Sequence, residues 1–309
     1  MENVPYYSFN NYLRQKFSAR VHRISLNAGF SCPHRDGSKG TKGCFFCNEA
    51  GFANFKDTKV NLKTQILTSM EYYRKRFKAE KFFAYFQNAS NTHADVLQLK
   101  NVYDVIREFS EIIGLSISTR PDCIDAEKLD LIESYTDKYE VWIEYGVQTI
   151  HEKSLKLINR QHTFSQSQSA IEQTAKRNIK IAVHVILGLP GETKADMMQS
   201  AKKLSQMPIN GIKFHIFHIL KNTQFEEIYK KEKFKLLSKT EYVDLVCDFL
   251  ENLNKEYVIM RLVSNTRENV LIGPTWINDK QKVIKDIENE LKARNSYQGK
   301  LLSEQIQVG

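Results

Sequence analysis

Apolar and polar positions alternate along this chain with two periods. Short runs of period two, whose side chains fall on opposite faces of a strand, stand at residues 21–26 (VHRISL), 82–87, 115–119, 141–148, 179–187 and 211–219. Between them, apolar residues recur every three to four positions over 60–77, 95–112, 125–138, 164–177 and 193–206, the mark of amphipathic helices. Leu62, Ile66, Met70, Tyr73 and Phe77 share one such face. A further helix is expected over 239–254, an apolar run follows at 257–263, and a last helix over about 279–294 ends in a polar tail. Strands alternating with helices of this length predict an α/β fold of parallel βαβ units, as an open doubly wound sheet or a barrel.

The two faces of each strand are unequal. Phe82, Ala84 and Phe86 oppose Tyr85 and Gln87, while Leu115, Ile117 and Thr119 oppose Ser116, Ser118 and Arg120. Val141, Ile143 and Tyr145 oppose Trp142, Glu144, Gly146 and Gln148, and an aliphatic row from Ile179 to Leu187 opposes Ala182, His184 and Ile186. Helices should cover the aliphatic faces. The others then converge on an interior that is most polar toward the C-terminal ends of the strands, where barrel enzymes hold their sites. His215 and His218 fall on opposite faces of their strand, so at most one points inward.

Composition narrows the class. The 309 residues, 41% hydrophobic, can bury a large core and suit a single α/β barrel. No apolar run reaches the roughly 18 residues of a membrane span, and the N-terminus lacks the basic and apolar regions of a signal peptide. An odd number of cysteines, five, with three in one tight group, argues against a disulfide framework and for a reducing, cytoplasmic setting. The net charge of +9 fits a polyanionic partner such as nucleic acid, or simply a basic surface. Arg74, Lys75 and Arg76 beside Tyr72, Tyr73 and Phe77, and Lys230, Lys231, Lys233 and Lys235 beside Phe225, Tyr229 and Phe234, can track a phosphate backbone or form solvated helix faces.

The sharpest chemical signal is Cys32, Cys44 and Cys47, spaced C-x11-C-x2-C directly after the first strand. Pro33, Gly37, Gly40 and Gly43 make the segment a loop. Three thiolates can hold a four-iron cluster and leave one iron open, whereas four close it. A structural zinc site with His34 as fourth ligand is the competing reading. Cys123 is far along the chain and Cys247 lies on an expected helix, so both are less suited.

The stretch LNAGFSCPHRDGSKGTKGCFFCN (26–48) resembles the YtqA/YhcC family of the radical S-adenosylmethionine (SAM) superfamily, akin to the Elongator catalytic-subunit branch. YFQNASNTHA (85–94), STRPDC (118–123), EYGVQT (144–149), NRQHT (159–163), LGLPGET (187–193) and IMRLVSN (259–265) follow in that family's order, so the resemblance runs from about 20 to 265. The first cysteine gap, eleven residues, departs from the superfamily's usual three. The resemblance implies a partial (β/α)6-type TIM barrel over 21–265 with a cluster loop at 30–55, an N-terminal extension over 1–20 and a C-terminal helical extension over 266–309. It implies a [4Fe-4S] cluster on Cys32, Cys44 and Cys47, with S-adenosylmethionine on the open iron yielding a 5′-deoxyadenosyl radical.

It also implies cofactor contacts. Arg120 is a candidate for the methionine carboxylate, or else closes the turn before Pro121 by a salt bridge. Gln87 and Asn91 lie where the superfamily grips the amino group, although its usual Gly-Gly-Glu is missing here. Glu144 and Gln148 are ribose or substrate candidates, Arg160 a second carboxylate contact, and His184 faces the cavity. For function, the resemblance points to the carbon-5 side chain of the transfer RNA wobble uridine, carboxymethylaminomethyl to aminomethyl, with flavodoxin or ferredoxin as electron donor. The alternatives are a small or porphyrin-like substrate, and a zinc-stapled nucleic-acid-binding protein without chemistry.

Overall fold

The computed structural model describes residues 4–48, 60–264 and 266–302. Its strands are β1 (Val21–Leu26), β2 (Lys81–Phe86), β3 (Ile112–Thr119), β4 (Glu140–Gln148), β5 (Lys180–Leu187), β6 (Gly211–Ile216), β7 (Ile219–Leu220), β8 (Val258–Arg261) and β9 (Leu271–Gly273). Seven of them form one sheet in the order β1-β2-β3-β4-β5-β6-β8, every pairing parallel. It curls into the expected partial barrel, with a seventh strand supplied by the apolar run at 257–263. The edge strand β8 is bridged by the N-terminal segment, where Ile259 N donates to Tyr7 O at 2.7 Å.

The helices are α1 (Phe9–Phe17), α2 (Leu62–Phe77), α3 (Val96–Tyr103), α4 (Ala126–Glu133), α5 (Glu152–Leu157), α6 (Phe164–Ala175), α7 (Lys194–Ser205), α8 (Gln224–Lys231), α9 (Lys239–Glu251) and α10 (Lys280–Ala293). None is long and apolar enough to cross a membrane among the described residues. Their starts follow from local chemistry. Asn61, Asp95 and Asp125 each accept a first-turn N–H, and Thr163, Thr193 and Ser238 form reciprocal capping boxes with Gln166, Asp196 and Glu241.

The outer strand faces carry the main core, including Ile24, Phe82, Phe86, Ile117, Ile143, Val183 and Phe214, as the alternation requires. Val283, Ile287 and Leu291 of α10 join that same core. A smaller cluster of Val21, Phe83, Trp142, Ala182 and Val258 closes the interior at the N-terminal ends of the strands. Helix α1 plugs it: Phe9 lies edge-on to Phe83 (5.8 Å) and Tyr12 to Trp142 (5.6 Å). Gly114 permits this floor, because a Cβ there would sit 2.3 Å from the Phe83 ring.

Some boundaries differ from the expectation. The helix expected to reach 112 stops at Tyr103, where Asp104 gathers Lys100, Arg107 and the Tyr135 hydroxyl and the chain tightens into a 3-10 turn. Ile112 and Gly114 pair with β2 instead. The strand expected over 211–219 ends at Ile216, and Ile219–Leu220 pairs antiparallel with β9. Residues 49–55 of the expected cluster loop lie outside the described residues.

Candidate active site

The cysteine loop leaves β1 at the mouth of the barrel and folds on its own backbone. Cys32 O accepts from Arg35 N (2.7 Å) and Asp36 N (3.1 Å), Pro33 O from Lys39 N (2.7 Å), and Cys44 O from Cys47 N (3.0 Å). Phe45 N donates to Ile158 O (3.1 Å) and Asn159 Nδ2 to Gly43 O (2.7 Å), fixing the loop to the β4–α6 connection. Cys44 is buried, and Cys32 and Cys47 are partly so. The thiols share one locality: burial and the neighbouring Cys44 and Cys32 push the Cys47 thiol up. Among the described residues no three His, Cys, Asp or Glu side chains gather at the distances one metal ion requires.

Two buried arginines stand beside the thiols. Arg160 donates from Nη1 to Cys44 Sγ (3.4 Å), from Nη2 to Gly146 O (2.7 Å) and from Nε to His162 Nε2 (2.9 Å). The close approach needs a glycine, since a Cβ on residue 146 would lie 2.6 Å from Arg160 Nη2 and 2.8 Å from Gln148 Nε2. Arg120 grips Asp122 through Nε (2.8 Å) and Nη2 (3.0 Å), and Nη2 also reaches Arg160 O (2.9 Å). The salt bridge after β3 is therefore formed, yet Arg120 Nη1 remains buried without a partner. Against the cost of its burial, Arg120 and then Lys39 hold the Asp122 carboxyl well below the usual range. His34 is fully buried with neither ring nitrogen bonded. Burial, then Arg120 and Arg160, push its imidazole down to about 4.

One layer deeper, the inward faces of five strands meet at Glu144. Its Oε1 accepts from Arg23 Nη1 (2.8 Å) and Ser116 Oγ (2.7 Å), and its Oε2 from Tyr85 Oη (3.1 Å) and Lys213 Nζ (2.8 Å) and pairs with His184 Nε2 (2.8 Å). Despite full burial, Arg23, Lys213 and His184 hold this carboxyl well below the usual range. Burial pushes the Lys213 ammonium down to about 7, with Glu144 pulling the other way. His215 packs at 5.2 Å from the His184 ring and so is the inward histidine of its strand. His218 lies beyond the end of β6 and bonds Ile216 O (2.8 Å).

The structure thus brings Arg120 and Arg160 beside the cysteine loop, with Arg160 on Cys44 Sγ, and sets Glu144 and His184 below them. Asn91 is buried at the C-terminal end of β3, its Nδ2 on Asn88 O (2.9 Å) and Ser118 O (2.8 Å) and its Oδ1 without a partner. Gln87 follows β2, half-buried. Gln148 ends β4 in a left-handed conformation, φ +73°, beside Arg160. Arg23, Lys213 and Arg261 were not singled out from the sequence. For Arg23 and Lys213 the signal was a charged residue at an inward position of an otherwise apolar strand, clearest for Lys213 in GIKFHI.

Comparison with known proteins accords with this arrangement. Residues 32–204 match the Radical SAM superfamily and residues 209–293 the Radical_SAM C-terminal domain. The chain is 36% identical to YtqA of Bacillus subtilis (strain 168), covering 96% of this chain and 92% of that protein. It is 32% identical to YhcC of Escherichia coli (strain K12), covering 88% and 87%. Among solved structures, the archaeal Methanocaldococcus infernus Elp3 with an N-terminal deletion shares the fold, with TM-score 0.64 at 15% identity over 88% of this chain and 63% of that one. The chain belongs to the radical SAM superfamily and, within it, to the family of YtqA and YhcC. It is a radical SAM enzyme, and its cofactors are a [4Fe-4S] cluster and S-adenosylmethionine. The reading of a zinc-stapled protein without chemistry falls with that finding.

Proposed function

We propose that Cys32, Cys44 and Cys47 hold the [4Fe-4S] cluster and that the enzyme remodels the carbon-5 side chain of the transfer RNA wobble uridine, from carboxymethylaminomethyl to aminomethyl. The observation that carries the site is the set of buried polar groups left open around three thiols of one loop. Buried polar groups are nearly always hydrogen-bonded, so Arg120 Nη1, Asn91 Oδ1 and the His34 nitrogens mark where a bound group completes the fold. The residues fit the cofactors on that ground. When bound, the cluster and S-adenosylmethionine together supply one-electron cleavage of a carbon–sulfur bond and abstraction of a hydrogen atom from the substrate.

The chain's own residues do the rest. Arg120 offers its free Nη1 to a carboxylate while Asp122 fixes the plane of the guanidinium. Arg160 steadies the Cys44 sulfur with an N–H. Asn91 and Gln148, at the strand ends, and Gln87 beside them would hold the amino and ribose groups of the cofactor. Glu144 and His184 hold the interior beneath. Phe45 and Phe46 pack the loop against the core and keep water from the site.

The RNA substrate is supported by the net charge of +9 and by the sequence resemblance to the Elongator catalytic subunit. A one-electron donor such as flavodoxin or ferredoxin completes the cycle. Reconstituted enzyme, S-adenosylmethionine and reductant, incubated with transfer RNA carrying the carboxymethylaminomethyl group, should yield the aminomethyl nucleoside by mass spectrometry. An unchanged wobble nucleoside contradicts the substrate assignment.

A further inference from the structure

Strand β8 departs from regular pairing at one point. Gly211 pairs with Val258 and Ile212 with Ile259, but Lys213 pairs with Arg261, so Met260 is passed over. Irregularities of this kind re-aim a side chain and recur beside active sites. Met260 stays with the floor of the barrel, 3.9 Å from Arg23 Nη2. Arg261 turns to the same interior and interacts electrostatically with Tyr85, Glu144 and Arg23.

The charges there do not balance. Glu144 takes up Arg23 and Lys213 in ion pairs, and Arg261 feels the same carboxylate only at longer range, its side chain making no ion pair and no hydrogen bond among the described residues. Lys280, in the first turn of α10, lies within electrostatic reach of Arg261 and is likewise without a carboxylate among the described residues. Burial and then like charge push the Lys280 ammonium down. Arg261 and Lys280 are half-buried, and three cations about the one carboxylate of Glu144 leave this space positive. His215 borders the same space, and its Nε2 is buried without a partner.

We propose that Arg261, with Lys280, forms an oxyanion subsite inside the barrel that takes a carboxylate carried by the substrate. This rests on the function proposed above, under which the carboxylate is that of the carboxymethyl group on the wobble uridine. A guanidinium fork matches the two oxygens of a carboxylate. Backbone phosphates of an RNA remain at the rim, whereas a substituent on an everted base reaches the interior. The subsite would then distinguish substrate from product, because the product has lost the charge.

Anaerobically reconstituted holoenzyme is titrated, without reductant, against transfer RNA carrying the carboxymethylaminomethyl group and against the same RNA carrying the aminomethyl group. Fluorescence anisotropy reads the binding. The wild type should prefer the carboxymethyl form by at least about tenfold, the effect of one charge-assisted contact. R261Q should bind both forms alike, R261K should regain part of the preference, and K280Q should lose part of it. K280Q also guards the test should R261Q fail to fold, as thermal unfolding will tell. If R261Q and K280Q keep the wild-type preference while the wild type still converts the RNA, the subsite is wrong and the proposed function stands. A wild type that neither prefers nor converts the carboxymethyl form overturns both.

Discussion

Two buried polar clusters lie one above the other on the same strands, and they differ in what they leave unfilled. Around Glu144 both carboxylate oxygens are occupied, by Arg23, Ser116, Tyr85, His184 and Lys213. Around the cysteine loop, Arg120 Nη1, Asn91 Oδ1 and both His34 nitrogens are buried with nothing to bond. A satisfied network rigidifies a core, and a partly satisfied one awaits something. The Glu144 hub is therefore scaffold, with Arg261 and His215 Nε2 left unpaired at its border, and the upper cluster is the one proposed above to bind the cofactors. A residue such as Glu144 can stand inside an active-site cavity and act without touching cofactor.

The comparison can be broken from either side. The largest effect is expected in the upper cluster: Cys32→Ala, Cys44→Ala or Cys47→Ala should each abolish iron–sulfur content and turnover together. Cys123→Ala and Cys247→Ala should retain both, Cys247 being part of the apolar core. Loss of iron and sulfide in Cys123→Ala would show that the ligand set is misassigned. In the lower cluster, Glu144→Leu leaves Arg23 and Lys213 buried and uncompensated, so unfolding by urea should show a loss of about 3–5 kcal/mol. A loss under about 1 kcal/mol would contradict the scaffold role.

Acid gives the same cluster a second reading. The native Glu144 carboxyl titrates well below its ordinary 4.5, so the unfolded chain binds that proton first as pH falls. Its stabilisation is whole above pH 4.5 and is lost as the pH drops through the folded value. Glu144→Gln should remove that part of the acid sensitivity in paired urea titrations. Arg160→Gln, which takes an N–H from Cys44 Sγ, should lower cluster retention or activity by roughly 10–100-fold. The smallest effect belongs to Lys39→Ala: its ammonium is partly exposed, and Arg120 still holds Asp122 through two contacts, so stability should change by under about 1 kcal/mol.

Much of this was legible before any coordinates. Strict period two placed β1 at 21–26 and the other inward faces correctly, because a strand buried on both sides allows no slip. The polar C-terminal ends of the strands located the mouth, and the cysteine loop, leaving the end of β1, belongs with them. Helix α1 was passed over although Phe9, Tyr12, Leu13 and Phe17 carry a helical repeat after the Ser8 cap, since nothing local says that those rings will plug a barrel. Helix α8 was read only as a basic, aromatic stretch, its Thr223 cap unnoticed. Arg261 could not be found from the chain at all: simple alternation sets it opposite to Met260, and only the passed-over residue in the β6–β8 pairing turns both inward. The Glu144 hub was missed for a related reason, because its partners come from five strands spread between residues 23 and 213.

The central claim is that three thiols of one loop hold a cluster with a position left open for S-adenosylmethionine. Electron paramagnetic resonance of the reduced, anaerobically reconstituted protein tests it most directly, with and without that ligand. The account predicts a [4Fe-4S] signal that shifts when S-adenosylmethionine is added. An identical spectrum in both samples, or a colourless protein holding zinc in place of iron and sulfide, would contradict it.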